Sequence, residues 1–448
     1  MRVLPVLNDA PVSETILVFR AGSGLKVGLP PDSGYVSPYS AALDLELHIN
    51  SMEIEMAKEC VFIDGVRTAN ARAHAEKGWF KDVRPDETLT AVYKAIFERN
   101  PKVKPEDVEG VFIGTANVSG MQNDLGRISW LASGLPISVP TQTVTNQCPS
   151  GMSAIMNAAR SIISGENSIM LAGGAEDMEK VSMGANMDFP ERLWEYINPA
   201  EISMGNTAEK VAEQYNVSKE DMVKFAANSN RLAAAARDAG KFKGEIVPVM
   251  GKKEDGTEFL VENDQWIRDN PDEERMMLME SPFKEGGVVS AATSSPLTAG
   301  AAIVLMMSRE KADELGLSYT YKYSFGTQAG NDPSVMGVGP IPAVQQLFKK
   351  TGLGPDDIGA VELNEAFASQ SLAVIRELKF EDSENVPFKK VNTWGGAMAL
   401  GHPLGQSGAR IIVTLLNRMK TDYPDEKYGI ATLCGGFGNA NAVLIEKV

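Results

Sequence analysis

One feature constrains this 448-residue chain more than any other: short β-branched runs take turns with stretches of helical period. The spacing predicts strand 61–64, helix 86–99, strand 111–114, helix 123–133, strand 141–145, helix 149–164 and strand 168–172. Alternation of this kind predicts a parallel sheet covered on both faces. A second run follows, with strand 359–363, helices 365–378 and 405–419, and strands 430–434 and 442–446. The chain therefore reads as two related α/β halves. A local echo supports duplication: Ser150-Gly151 and Ser407-Gly408 each open a helix after a turn bearing glycine or cysteine.

Between the halves the pattern breaks, over about 179–285. Here a helix is predicted with Ser218 as its N-cap and Asp221 three residues on, stopping at Gly240. The rest is read as a charged loop over 251–275. Insertions on α/β scaffolds commonly wall a ligand site. Residues 1–55 read as a separate extension, expected to be poorly ordered. Gly22, Gly24 and Gly28 after an apolar run give only a weak nucleotide fingerprint, because no clean helix follows and Pro30-Pro31 interrupts the chain.

Composition narrows the function. Lys and Arg total 43 against 59 Asp and Glu, a net charge of −16, which is the opposite of the footprint left by phosphate-backbone binding, so nucleic acid is not expected as a partner. No apolar run approaches the ~18 residues of a membrane span, so no membrane insertion is expected. No targeting leader is evident, and a cytoplasmic location is expected. The three cysteines, Cys60, Cys148 and Cys434, make neither a disulfide framework nor a zinc cluster at their wide spacing, so a reducing compartment and no metal are expected.

Four segments have the residue types that chemistry needs. In Cys148-Pro149-Ser150-Gly151 a proline at the first helical position would set Cys148 at or next to the N-cap, where free amides and the helix dipole favour a thiolate; a buried structural cysteine is the alternative. The stretch 395–408 holds His402 among five glycines, in a loop that must turn tightly. Cys434-Gly435-Gly436-Phe437-Gly438 ends a strand with small residues, suited either to an amide pocket for an oxyanion or to a sharp turn. In the fourth, Leu363-Asn364-Glu365-Ala366-Phe367, Asn364 is placed to cap the helix that follows, and capping alone explains it.

In this order the four segments closely resemble the thiolase family, over about residue 58 to the C-terminus: Cys-x-Ser-Gly, Asn-Glu-Ala-Phe, Gly-Gly-Ala-x-Ala-Leu-Gly-His-Pro-x-Gly-x-Ser-Gly and Cys-x-Gly-x-Gly. Gly173-Gly174-Ala175-Glu176 and Met204-Gly205-Asn206-Thr207-Ala208-Glu209 extend the likeness. The stretches around 77–84 and 332–340 look most like the degradative 3-ketoacyl-CoA thiolases. The resemblance implies an α/β fold of duplicated αβαβα halves with an inserted loop domain. The divisions it implies are an N-terminal half over 56–178 with 286–312, a coenzyme A-binding loop domain over 179–285, and a C-terminal half over 313–448. It also implies that Cys148 carries the acyl group, His402 takes its proton and Cys434 moves a second one. The amides of Cys148 and Gly436 would form one oxyanion hole, and His402 with a water on Asn364 the other. Arg268 and Ser295 match coenzyme A contacts. Departures from the family pattern include Ser203, where biosynthetic members have histidine, and Phe437, where glycine is usual; Phe437 would narrow the acyl tunnel or tilt an oxyanion donor.

The activity implied is reversible, CoA-dependent cleavage of 3-ketoacyl-CoA in fatty-acid β-oxidation, with coenzyme A as co-substrate and no permanently bound cofactor. Family members are homodimers or homotetramers, and degradative ones sometimes join a hydratase/dehydrogenase subunit. Three alternatives compete: an acetyl-CoA C-acetyltransferase condensing two acetyl-CoA, a non-catalytic acyl-CoA-binding protein, and a decarboxylating ketosynthase. Retention of both cysteines, His402 and Asn364 argues against the second. A shortage of histidines argues against the third.

Overall fold

A computed structural model describes residues 17–21, 24–28, 58–381 and 387–448 of the chain. Two compact units result, 1–56 and 57–448. In the first, Leu17–Ala21 pairs antiparallel with Gly24–Gly28. Gly24 and Gly28 thus belong to a strand, not to the strand-to-helix turn a nucleotide fingerprint needs. The expectation of poor order for the remainder of 1–55 lies outside the described residues.

In the second unit one mixed sheet carries nine strands along its main path: β1 (Cys60–Thr68), β2 (Gly110–Gly114), β3 (Thr141–Val144), β4 (Ile169–Asp177), β5 (Thr298–Ser308), β6 (Tyr321–Gly330), β7 (Ile358–Leu363), β8 (Tyr428–Gly435) and β9 (Asn439–Lys447). Their spatial order is β7-β8-β9-β6-β1-β5-β4-β2-β3. Read outward from the β6/β1 junction, both sides repeat one plan. The first strand (β1, β6) pairs antiparallel with the last (β5, β9), which pairs antiparallel with the penultimate (β4, β8), which runs parallel to the second (β2, β7). On the outer side of the second strand, β3 in one half is matched by a parallel bridge from Val361 to Val391 in the other. The sheet is therefore mixed, not purely parallel as the alternation alone predicted, because the last strand of each half returns antiparallel.

Helices α1 (Pro85–Arg99), α2 (Leu125–Ala132), α3 (Ser150–Ile163), α4 (Met204–Gln214), α5 (Lys219–Asp238), α6 (Pro340–Thr351), α7 (Ala368–Leu378) and α8 (Leu404–Thr421) complete the layers. One apolar cluster joins Ala302, Val304 and Met306 of the first half, Ala431, Leu433 and Val443 of the second, and Ile155, Ile411 and Ile412 of α3 and α8. Helices α3 and α8 are thus the shared middle layer, packed against both halves of the sheet, which explains why they are buried nearly all round, polar residues such as Gln406, Arg410 and Thr414 included. The outer clusters place α1 and α2 on the first half and α4, α6 and α7 on the second.

Where the sequence reading and the structure differ, the reason is local. The cap of α7 is Phe367, not Asn364, and the helix starts three residues later than expected. Within 251–275 the expected loop contains the second strand of a hairpin, Val249–Lys252 with Glu258–Val261, and the start of a short helix, Glu273–Leu278. Strand β6 and helix α6 were not predicted at all.

Candidate active site

The two middle helices bring the chemistry together, because their first turns touch. A Cβ on Gly151 would lie 2.4 Å from the Gly405 carbonyl oxygen, and one on Gly408 2.5 Å from the Met152 nitrogen. Only glycine permits this approach. The turn before α3 holds Cys148, and the loop before α8 holds His402.

Cys148 stands next to the N-cap of α3, as expected, although Pro149 is the cap itself rather than the first helical residue, and the helix begins at Ser150. Burial pushes the Cys148 thiol up to about 12, while the backbone amides of Gly436 and of Cys148 itself donate toward the sulfur and pull the other way. The expected thiolate is therefore not the resting species. A neutral thiol needs a base. Burial also raises the pKa of Cys434, and a thiolate on neighbouring Cys148 would add to the rise, so the two sulfurs lie within electrostatic reach of each other.

His402 is nine-tenths buried, and desolvation, helped by the Arg410 charge, lowers its pKa to about 3. The imidazole is neutral throughout the physiological range. Its tautomer follows from its neighbours. Nδ1 lies 2.6 Å from Ser407 Oγ, and the Ser407 hydroxyl donates to the Pro403 carbonyl at 2.9 Å. With its one proton committed, Ser407 accepts, so Nδ1 carries the hydrogen. Nε2 keeps its lone pair, facing Asn364 Nδ2 at 3.4 Å. Asn364 Oδ1 is buried without a hydrogen-bond partner among the described residues, as an acceptor awaiting a water or substrate would be.

Two buried carboxylates, neither assigned a role from sequence, staple the ends of the His402 loop. Glu365 accepts from Ser229 Oγ (2.7 Å), Asn392 Nδ2 (2.8 Å) and the Met398 amide (3.1 Å), and burial holds its pKa up. Glu176, at the end of β4, accepts from the amides of Ala116 (2.7 Å) and Gly405 (2.8 Å) and from Gln122 Nε2 (2.5 Å). An acid directly after Gly173-Gly174-Ala175 at a strand end was the available signal for Glu176.

The structure thus groups Cys148, Cys434 and the Gly436 amide, pairs His402 with Asn364, and relates the two groups through the touching first turns of α3 and α8. Ser295 belongs to the same neighbourhood: its amide donates to Ala366 O at 3.0 Å, and the next residue, Pro296, accepts from the His402 amide at 3.3 Å. Arg268 stands apart. It is exposed, with its amide on Asn230 Oδ1 and its guanidinium 5.8 Å from the Trp266 ring centre. Strain marks both turns at the sulfur: Gln147, before Cys148, has φ 53°, and Phe437, after Gly436, has φ 61°. Left-handed conformations at such residues cost about 1–3 kcal/mol each and persist where surrounding structure enforces them. Among the described residues no group of three or more His, Cys, Asp or Glu is placed to hold a metal ion, and no helix is long and apolar enough to cross a membrane.

Comparison with known proteins gives a consistent picture. Residues 60–310 match the family model for the thiolase N-terminal domain and 319–447 that for the thiolase C-terminal domain. The chain is 41% identical over 392 residues to a 3-ketoacyl-CoA thiolase of Marinomonas sp. (strain MWYL1), covering 87% of this chain and 98% of that protein. It is 40% identical to a 3-ketoacyl-CoA thiolase of Vibrio vulnificus (strain CMCP6), covering 87% and 100%. Among solved structures, the acetyl-CoA acetyltransferase of Bacillus anthracis superposes with a TM-score of 0.78 at 34% identity, over 88% of this chain and all of that one.

Proposed function

The chain belongs to the thiolase family, and on that premise we propose that it cleaves 3-ketoacyl-CoA with coenzyme A, reversibly, in fatty-acid degradation. Cys148 attacks the 3-keto carbon of the substrate while His402 Nε2 takes the thiol proton. The bond between the α and β carbons breaks, leaving the shortened acyl group on sulfur and acetyl-CoA enolate. Cys434 gives its proton to the enolate carbon and releases acetyl-CoA. Coenzyme A then gives its thiol proton back to Cys434 and attacks the thioester, and the shortened acyl-CoA leaves as Cys148 recovers its proton from His402. The observation that carries this reading is that the helix following the buried Cys148 thiol touches the helix following His402, a neutral imidazole whose free nitrogen is fixed by Ser407.

Charge develops twice on oxygen, and preorganised donors are needed each time. The amides of Gly436 and Cys148, which bind the resting sulfur, serve the tetrahedral intermediate on Cys148. Asn364, through a water on its unpaired Oδ1, serves the enolate together with Nε2–H of the protonated His402. Ser295 lies along the pantetheine arm, and exposed Arg268 meets the phosphates at the nucleotide end. We assign 179–285 as the coenzyme A-binding loop domain between an N-terminal half (56–178 with 286–312) and a C-terminal half (313–448). The protein works in the cytoplasm as a homodimer or homotetramer, and association with a hydratase/dehydrogenase subunit suits its place in the sequence.

Intact-mass measurement after mixing with a 3-ketoacyl-CoA in the absence of free coenzyme A tests the scheme. An acyl adduct on Cys148 is expected, and Cys148→Ala should lose both the adduct and at least about a thousandfold of thiolysis. Full-rate thiolysis by Cys148→Ala would refute the assignment. Comparing four-carbon with longer substrates separates degradation from the synthesis of acetoacetyl-CoA.

A further inference from the structure

Phe437 pays no steric dividend to its own turn. Its backbone is left-handed (φ 61°, ψ 19°), a conformation glycine adopts freely and a bulky aromatic residue rarely does. Its amide neighbour Gly436 is the one that donates to the Cys148 sulfur, so the ring stands one residue from the nucleophile's own contact. Packing does not hide it, since Phe437 is only half-buried. The ring meets Phe189 edge-on at 5.7 Å between centres, and Phe189 meets Trp194 in the same way at 5.4 Å. Both partners are also half-buried, and the segment that carries them exposes Met183 and Met187 as well.

A strained aromatic residue next to the Gly436 amide that meets the Cys148 sulfur, continued by two more rings on a segment that also exposes two methionines, is a run of apolar side chains that starts at the site. Exposed contiguous apolar surface marks a binding site, and its continuity with Cys148 says what binds. We infer that Phe437, Phe189 and Trp194 form the wall on which the acyl chain of the substrate lies, selecting 3-ketoacyl-CoA with medium or long alkyl chains over the four-carbon substrate. This rests on the thiolase reading above, because only there does an alkyl chain extend from the carbon that Cys148 attacks. Each methylene laid on such rings adds about fourfold to kcat/KM.

The test compares kcat/KM for thiolysis of 3-ketodecanoyl-CoA and acetoacetyl-CoA in the unaltered protein, in Phe437→Gly and in Phe189→Ala. Phe437→Gly suits the left-handed backbone and so keeps the turn. Phe189→Ala removes the next ring without touching residues 436–438. The ten-carbon to four-carbon ratio is expected to fall about fourfold or more in each. A smaller fall in either variant overturns the inference, including the case in which all substrates slow equally. So does an unchanged ratio with an altered oligomeric state in Phe189→Ala by light scattering, which would make the rings a contact between copies. If the unaltered protein forms no acyl adduct on Cys148 with either substrate, the thiolase reading itself has failed, and this inference with it.

Discussion

His402, the proposed base, shows how burial sets a protonation state. An imidazole in water is protonated in about half of its molecules near pH 6.5, whereas here desolvation lowers the pKa to about 3. The same shift has a consequence for stability. Between about pH 6.5 and 3 the unfolded chain binds a proton on this residue that the folded chain does not, so acid favours unfolding. The sign is that of a depressed base: stability is complete above the unfolded pKa and falls as pH drops below it, until the folded pKa is reached. One such group gives a slope of up to about 1.4 kcal/mol per pH unit. His402→Gln should lack it. Urea midpoints measured at pH 7.5, 5.5 and 4.5 are expected to fall more steeply for the natural protein than for His402→Gln. Parallel curves would show that the imidazole is charged in the folded state.

At the scale of elements, much of the site was legible because glycine and proline mark positions where backbones must touch or turn. The echo of Ser150-Gly151 and Ser407-Gly408 identified α3 and α8, and the structure shows why: these small residues let the two helix starts meet. What stayed hidden depends on partners distant in sequence. Asn364 looks like a cap until His402, 38 residues on, takes its side chain. The Cys148 thiol reads as dipole-activated until the burial imposed by both halves is counted. Strand β6, with aromatic residues at alternate positions Tyr321, Tyr323 and Phe325, carried a readable period, but its glycines and bulge blur it. Gly151→Ala tests the contact between the helices. The added Cβ meets backbone at Gly405, which cannot turn aside as a side chain would, so a loss of about 1–3 kcal/mol is expected. Because Gly405 is also tied to Glu176 and sits three residues from His402, kcat should fall along with the denaturation midpoint. A variant with a lowered midpoint and full kcat would separate helix packing from placement of the base.

Across the whole second unit, one buried arginine links parts that lie far apart in the chain. Arg67, on β1 of the first half, is fully buried and donates to Glu245 at 2.6 Å and to both oxygens of Asp264 at 2.7 and 2.9 Å. Glu245 and Asp264 both come from the inserted segment, while Thr414 of α8, from the second half, donates to the same Glu245 oxygen at 3.3 Å. Asp264 also accepts the Asn70 amide at 2.7 Å, and Asn70 in turn holds Gln406 and the Leu400 carbonyl, at opposite ends of the His402 loop. The stretch holding Glu245 and Asp264 is therefore joined to the His402 loop through charge, and the pair of acids neutralises a guanidinium that could not be buried alone. Removing Asp264 leaves the guanidinium with Glu245 alone, a carboxyl that burial pushes toward its neutral form, and breaking a buried pair typically destabilises by about 3–5 kcal/mol. Asp264→Ala is expected to lose that much in equilibrium unfolding. Since Asn70 loses its partner too, the KM for coenzyme A should rise in whatever fraction stays folded. Arg67→Met with Asp264→Ala and Glu245→Gln removes the charges together and should recover part of the stability, because no ion is then left without a partner. If the triple variant is no more stable than Asp264→Ala, the cost lies in lost packing rather than in a stranded charge.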